Sequence, residues 1–146
     1  MVDVSAKTPS DRVAIAEGFL RAKPDTIRRI AADDLPKGDF RAAVQLAAIA
    51  AAKRTAELIP LCHSLPLEHV GVDVEPDPDA GRVRVVATAT AHARTGVEME
   101  ALTAVTVGLL TAFDLLKAVD KELRLEGIRV LEKRGGRSGH WKAESA

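Results

Sequence analysis

Hydrophobic and polar positions follow two periods along this chain, and the switches between them mark out the elements. Val13, Ile15 and Phe19 recur at even spacing with Ala14 and Ala16 between them, the period-two pattern of a half-buried strand, which predicts β-structure over Arg12 to Leu20. Pro24 suits a first helical position and Asp25 a first turn, so Lys23 to Ala32 is predicted as a short helix. Asp39 is a good N-cap for the Ala-rich run Phe40 to Leu58, which Pro60 stops. Val70, Val72 and Val74, then Val83 and Val85, alternate with polar residues across the turn residues Pro76 to Gly81 and predict a β-hairpin. Val97 to Asp120 is again helix material with few charges, and Leu123, Leu125, Ile128 and Val130 predict a last strand kinked near Gly127.

The predicted order, β, α, β, β, α, β, is the ferredoxin-like α+β arrangement, an antiparallel sheet with helices on one face. Helices apolar nearly all round, and a sheet with no second layer, predict burial against other copies of the chain. A homo-oligomer with sites between chains is therefore expected. The 146 residues read as one domain, with polar ends, 1–11 and 135–146, expected to be flexible.

Composition narrows the function classes. Lys plus Arg and Asp plus Glu balance at 21 each, so no overall field draws the chain to nucleic acid or an acidic membrane. Aromatic residues are 3% with no Tyr, leaving few rings for bases to stack on. Cys62 is the one cysteine and nothing at the start is patterned like a secretion signal, which points to the cytoplasm. The uncharged runs Ala42 to Ala52 and Ala101 to Phe113 fall short of the ~18 residues expected of a membrane span. A small-molecule ligand is the expected partner, and any anion site must be built from local clusters.

Four stretches could carry chemistry. In Leu58 to Leu67, Pro60 and Pro66 bracket Cys62 and His63; His63 could bind an anion or move a proton, although such a pair is more often structural. A zinc site would want further ligands at short spacing, which are missing, so no metal site is expected. Glu98 and Glu100 open the second long helix, where the macrodipole alone would favour them, and they point about 200° apart. Asp114 and Lys117 are helical neighbours after a long uncharged run; the plain reading is a surface ion pair, the functional one a partly desolvated acid and base. Cations are scattered at Arg12, Lys37, Lys53, Arg54 and Lys133 to Arg137, and together could hold a polyphosphate.

In order, Met1 to Lys7, Lys37-Gly38-Asp39, Ala51 to Thr55, Leu58 to His63, Gly96 to Ala104, Asp114 to Val119 and Gly135 to Gly139 resemble the cyclic pyranopterin monophosphate synthase family, often called MoaC. The resemblance implies a hexamer built as a trimer of dimers, with each site shared across a dimer interface. It implies a cyclised GTP derivative, 3′,8-cyclo-7,8-dihydroguanosine triphosphate, as substrate, and cyclic pyranopterin monophosphate and pyrophosphate as products. No redox cofactor is implied, and Mg²⁺ on the phosphates is left open. Carried onto this chain, Asp114 and Lys117 take the catalytic positions. Leu61, Cys62, His63, Met99 and Glu100 take substrate-binding positions, and Glu98, Arg12, Lys37 and Lys53 match polar positions of the pocket. The chain departs from the family pattern at Ser64, where Pro is common, and at Ala48, where Gly is common. A regulatory oligomer that binds a nucleotide without chemistry is the rival reading; it would need the cations but not the Asp114 and Lys117 pair.

Overall fold

The computed structural model describes residues 1–144. Strand β1 (Ser10–Arg21) leads into helix α1 (Pro24–Ala31), then α2 (Phe40–Ala52) and the single turn α3 (Thr55–Leu58). Strands β2 (His69–Asp77) and β3 (Arg82–Ala93) form the hairpin, followed by the long helix α4 (Glu98–Leu116), β4 (Arg124–Arg134) and the two-residue β5 (Trp141–Lys142). All pairings are antiparallel and the sheet order is β2-β3-β1-β4-β5. The first four strands in that order give the ferredoxin-like topology expected from the element pattern.

The predicted helix over Phe40 to Leu58 is two helices. Asp39 caps it as expected, accepting from the Ala42 N–H at 3.0 Å. After Ala52, however, the Arg54 N–H turns back to Ala51 O and the Thr55 hydroxyl bonds Ala52 O at 2.8 Å. Two adjacent cations, Lys53 and Arg54, leave for solvent there, and the axis breaks. The predicted helix over Val97 to Asp120 also stops early, at Leu116, because Asp120 has a different task. It is 2% exposed and accepts from the N–H groups of Lys23 and Glu122 and from the Thr26 hydroxyl, so it ties the end of the α4 segment to the start of α1.

The helices cover one sheet face. Ala14, Ala16 and Leu20 of β1, with Val83, Val85, Ala87 and Ala89 of β3, are fully buried beneath α2 and α4. Small residues there let α4 sit close: a Cβ on Gly18 would come within 2.7 Å of Leu109. Ala48, one of the two departures from the family pattern, faces Gly108, whose added Cβ would lie 3.3 Å from that of Ala48. The glycine needed for close helix contact is thus supplied from the opposite helix. Val13, Ile15 and Phe19, the residues that set the period of β1, lie on the other face, which no helix covers among the described residues. Gly127, at φ +63°, makes the kink expected in β4 where the pairing with β1 shifts register.

Helix α4, at 19 residues with charges only near its ends, has the length and composition of a membrane span, longer than its uncharged run alone indicated. Half of it is packed inside the fold, which accounts for its apolarity.

Candidate functional site

The site residues are distributed over the two ends of α4. At its N-terminal end, the chain leaving α3 turns at Leu61, where the Cys62 N–H bonds Ile59 O at 3.1 Å, and runs through Cys62 and His63 without regular structure to β2. This stretch and the start of α4 enclose a cavity of about 530 Å³ lined mainly by apolar groups, among them Ile59, Leu61, Leu65 and Met99, with Cys62, His63 and Glu98. The His63 ring nitrogen Nε2 lies 2.8 Å from the carbonyl oxygen of Val2, so it carries the proton and donates to it. Ser64, the second departure from the family pattern, is exposed beside His63.

The two glutamates diverge as helical geometry requires. Glu98 points into the cavity, and its Oε1 lies 3.4 Å from Lys133 Nζ. Glu100 points inward, is 3% exposed, and its Oε2 has no hydrogen-bond partner. Burial pushes the Glu100 carboxyl above the ordinary carboxylate range, and the negative charge of Glu98 adds to the shift. The Cys62 thiol is likewise raised, by burial first and then by the charge of Glu100. A buried carboxyl with an unused acceptor is costly, and Glu100 is not among the residues that line either chamber.

A second chamber of about 300 Å³ adjoins the first and shares Lys7, Thr95, Gly96 and Glu98 with it. Its walls carry Lys7, Arg12, Arg94, Lys133, Arg134 and Arg137 against the single carboxylate of Glu98. Gly135 and Gly136, both at positive φ, turn the chain tightly over the Arg12 guanidinium. Arg12 and the cations from Lys133 to Arg137 were expected to help hold a polyphosphate; Lys7 and Arg94 were not singled out as ligand contacts. The cluster Lys133 to Arg137 was visible in sequence as a scatter of cations, but only the β1 and β4 pairing brings it to Arg12. Arg94 carried no signal: it is one arginine in the bend just after β3.

At the other end of α4, Lys117 Nζ lies 2.6 Å from Asp114 Oδ1 and Lys37 Nζ lies 3.3 Å from Asp114 Oδ2. Lys37 also donates to the Asp114 carbonyl at 3.0 Å. The sequence joined Asp114 to Lys117; the antiparallel packing of α2 on α4 adds Lys37. Hydrogen bonds from Lys117 and then Lys37 hold the Asp114 carboxyl below its ordinary range. The expectation that this pair sits in a buried setting is corrected: both side chains are 58% exposed in the single chain. The pair occupies the solvent-facing side of the last helical turn, while the apolar run before it is buried on the sheet side.

Met99 and Asp114 are 15 residues apart on one helix, or about 22 Å at 1.5 Å per residue. One chain therefore does not bring the Asp114 cluster to the cavity of His63 and Met99. Lys53 ends α2 on the His63 side but is exposed and lines neither chamber.

Residues 1–136 match the model of the MoaC family. Three similar proteins are each called cyclic pyranopterin monophosphate synthase. That of Methylobacterium nodulans is 54% identical over 146 residues, covering all of this chain and 91% of the relative. That of Roseiflexus sp. is 51% identical over 139 residues, 95% and 88% of the two chains, and that of Thermomicrobium roseum 49% over 144 residues, 99% and 87%.

Proposed function

The chain belongs to the MoaC family, and from that premise we propose that it is a cyclic pyranopterin monophosphate synthase, a lyase of molybdenum cofactor biosynthesis. Its substrate in this reading is the cyclised GTP derivative 3′,8-cyclo-7,8-dihydroguanosine triphosphate, and its products are cyclic pyranopterin monophosphate and pyrophosphate.

The observation that carries the reading is the pair of joined chambers. An apolar cavity lined by Ile59, Leu61, Leu65 and Met99, with Cys62, His63 and Glu98 as its polar groups, suits a fused ring rich in N–H donors. The adjoining chamber, six cations against one carboxylate, suits a triphosphate. The two share the Glu98 wall, so one ligand can fill both. Formation of the cyclic phosphate requires a substrate hydroxyl to bond to the α-phosphorus while the bond from that phosphorus to pyrophosphate breaks. Lys7, Arg12, Arg94 and Arg137 would take up the charge that develops on the departing pyrophosphate. The hydroxyl proton, and the protons moved in ring opening, need an acid and base within hydrogen-bond reach. Asp114, ionised through its lysine contacts, and Lys117 would fill those roles, with Lys37 holding Asp114 in place. No redox cofactor enters this scheme.

Because the Asp114 cluster lies about 22 Å along α4 from the ring cavity, the proposal requires that cluster to come from a neighbouring subunit. That fits a hexamer built as a trimer of dimers, working in the cytoplasm. Docking would strip water from an ion pair now exposed and strengthen its electrostatics. The test is turnover: the wild type given the cyclised GTP derivative should release pyrophosphate and the cyclic phosphate. Lys117→Ala should lose activity by ~10²-fold or more, the scale of a general acid or base, and Asp114→Asn comparably. Normal turnover by both variants would remove the assigned roles.

A further inference from the structure

The clasp around Asp114 is open to water, yet it gathers lysines from two separate parts of the chain onto one carboxylate. Lys117 follows Asp114 by less than one helical turn, so α4 itself brings it there. Lys37 comes from the segment between α1 and α2, and its side chain is 45% exposed. An exposed ion pair gains little more than the side-chain entropy a long lysine gives up, so it does not fix its own backbone. Buried groups elsewhere must set the two segments against each other.

Asp120 joins the same two segments at their other ends. The chain leaves α4 at Leu116, whose carbonyl accepts from the N–H groups of Val119 and Asp120. The Asp120 carboxylate, almost fully buried, uses both oxygens. Oδ1 accepts from the Glu122 N–H at 2.9 Å, and Oδ2 from the Lys23 N–H at 2.9 Å and the Thr26 hydroxyl at 3.0 Å. Lys23 is the N-cap of α1 and makes no side-chain capping bond of its own. Asp120 thus supplies the acceptor and the negative charge that the start of α1 lacks. Burial alone would raise its carboxyl, but the Lys23 and Glu122 N–H groups, the Thr26 hydroxyl and the Lys23 charge together hold it below its ordinary range.

The far end of α1 is also fixed. The N–H groups of Ala32, Asp33 and Asp34 return to the carbonyls of Arg28, Ile30 and Arg29, and Arg29 Nε donates to the Asp34 carbonyl at 3.2 Å. Helix α1 packs on β2 and β3 with Ile27 and Ile30 fully buried, and Leu35 rests on the core two residues before Lys37. The contacts close a ring that runs from Asp114 through the end of α4 to Asp120, along α1 to Lys37, and back to Asp114. We propose that Asp120 is a positioning residue for the reaction: by pinning the start of α1 to the end of α4, it sets the approach of Lys37 to the Asp114 and Lys117 pair. This role rests on the reading above, in which Asp114 and Lys117 act in turnover. Asp120 itself lines neither chamber and acts through the clasp.

Titration of the Asp114 carboxyl, followed by carbon NMR of the assembled, aspartate-labelled protein without substrate, tests the anchor apart from turnover; Asp114→Asn identifies the signal. Lys117 and Lys37 are the charges that face Asp114, and Lys23 the one that faces Asp120. Asp120→Ala removes the acceptor from α1, so Lys37 should leave Asp114 and the Asp114 midpoint should rise toward the ordinary carboxylate range. In the same variant kcat should fall ~10-fold or more while KM holds, because the acid and base are displaced and the binding chambers are not. Thr26→Val, which removes one of the three bonds, should move both quantities the same way by less, and it serves as the test where Asp120→Ala does not fold. Val85→Ala, a core truncation in β3 away from both carboxylates, should lower stability and leave the Asp114 midpoint and kcat at wild-type values. The anchor is overturned if the Asp114 midpoint in Asp120→Ala, or in Thr26→Val where that variant stands in, matches the wild type, or if Val85→Ala moves it equally. A midpoint that rises while turnover stays normal overturns instead the role given to Asp114 in the proposed reaction.

Discussion

The two ends of α4 carry acids in opposite circumstances. Near the N-terminal end, Glu100 is buried with an unused oxygen and its carboxyl is pushed toward the neutral form. At the C-terminal end, Asp114 is exposed, clasped by two lysines and held ionised. One carboxyl is buried with a free acceptor oxygen; the other is exposed and held by two lysines. An acid of the first kind is built to receive a donor, and one of the second kind to be covered. In the proposed reading the two ends serve two halves of a site that do not meet in a single chain, and each half can be perturbed separately.

The largest effect outside the Asp114 cluster is expected in the basic chamber. Arg94→Ala with Arg137→Ala should raise KM by at least ten-fold and weaken binding of inorganic pyrophosphate in parallel, measured by calorimetry, because charge-assisted contacts to phosphate are lost. The change in kcat should be much smaller if these residues bind the ground state and the leaving group alike.

At the Glu100 end the contrast can be read as stability against pH. The folded-state pKa of Glu100 lies above its unfolded value of about 4.5. The fold therefore loses stability as pH rises above that unfolded value, and the cost is absent at lower pH where the carboxyl is neutral in both states. Glu100→Gln removes the cost. It should raise the thermal midpoint at pH 8, by an amount equivalent to ~1 kcal/mol, with the gain shrinking toward pH 4. A gain that does not depend on pH would mean Glu100 is not held toward neutrality. The smallest effect is expected between the ends: Ala48→Gly should cost ~1 kcal/mol of stability in a denaturant melt, through helix propensity and a lost buried methyl.

The elements were largely legible from the two hydrophobic periods, because strand alternation and helix caps are local properties. What the sequence misplaced depended on distant partners. Asp120 looked like the end of a helix, yet Lys23 and Thr26, nearly a hundred residues earlier, claim its carboxylate. Val13, Ile15 and Phe19 announced β1 correctly but lie opposite the helix-covered core. The large side chains were visible, and the face they occupy was set by the alanines that admit α4. Among site residues, the motifs around His63, Glu98 and Asp114 were legible through resemblance. Arg94 was not, because a lone cation acquires meaning only when the fold brings it beside others. The environment of Asp114 was misjudged because a helix can be apolar along most of its length and still turn its last charged residues to solvent.

The account rests on each site taking Asp114 and Lys117 from one subunit and the His63 cavity from another, and mixing two inactive variants tests this most directly. Lys117→Ala and His63→Ala should each be inactive or nearly so. Dissociated together and reassembled at equal concentration, random pairing makes half the pairs mixed, and one of the two sites in each mixed pair is intact. Activity should then return to about a quarter of the wild-type rate if the shared interface is two-fold. If the reassembled mixture, shown by mass to contain both variants, stays as inactive as its components, both halves of the site belong to one chain and the account is wrong.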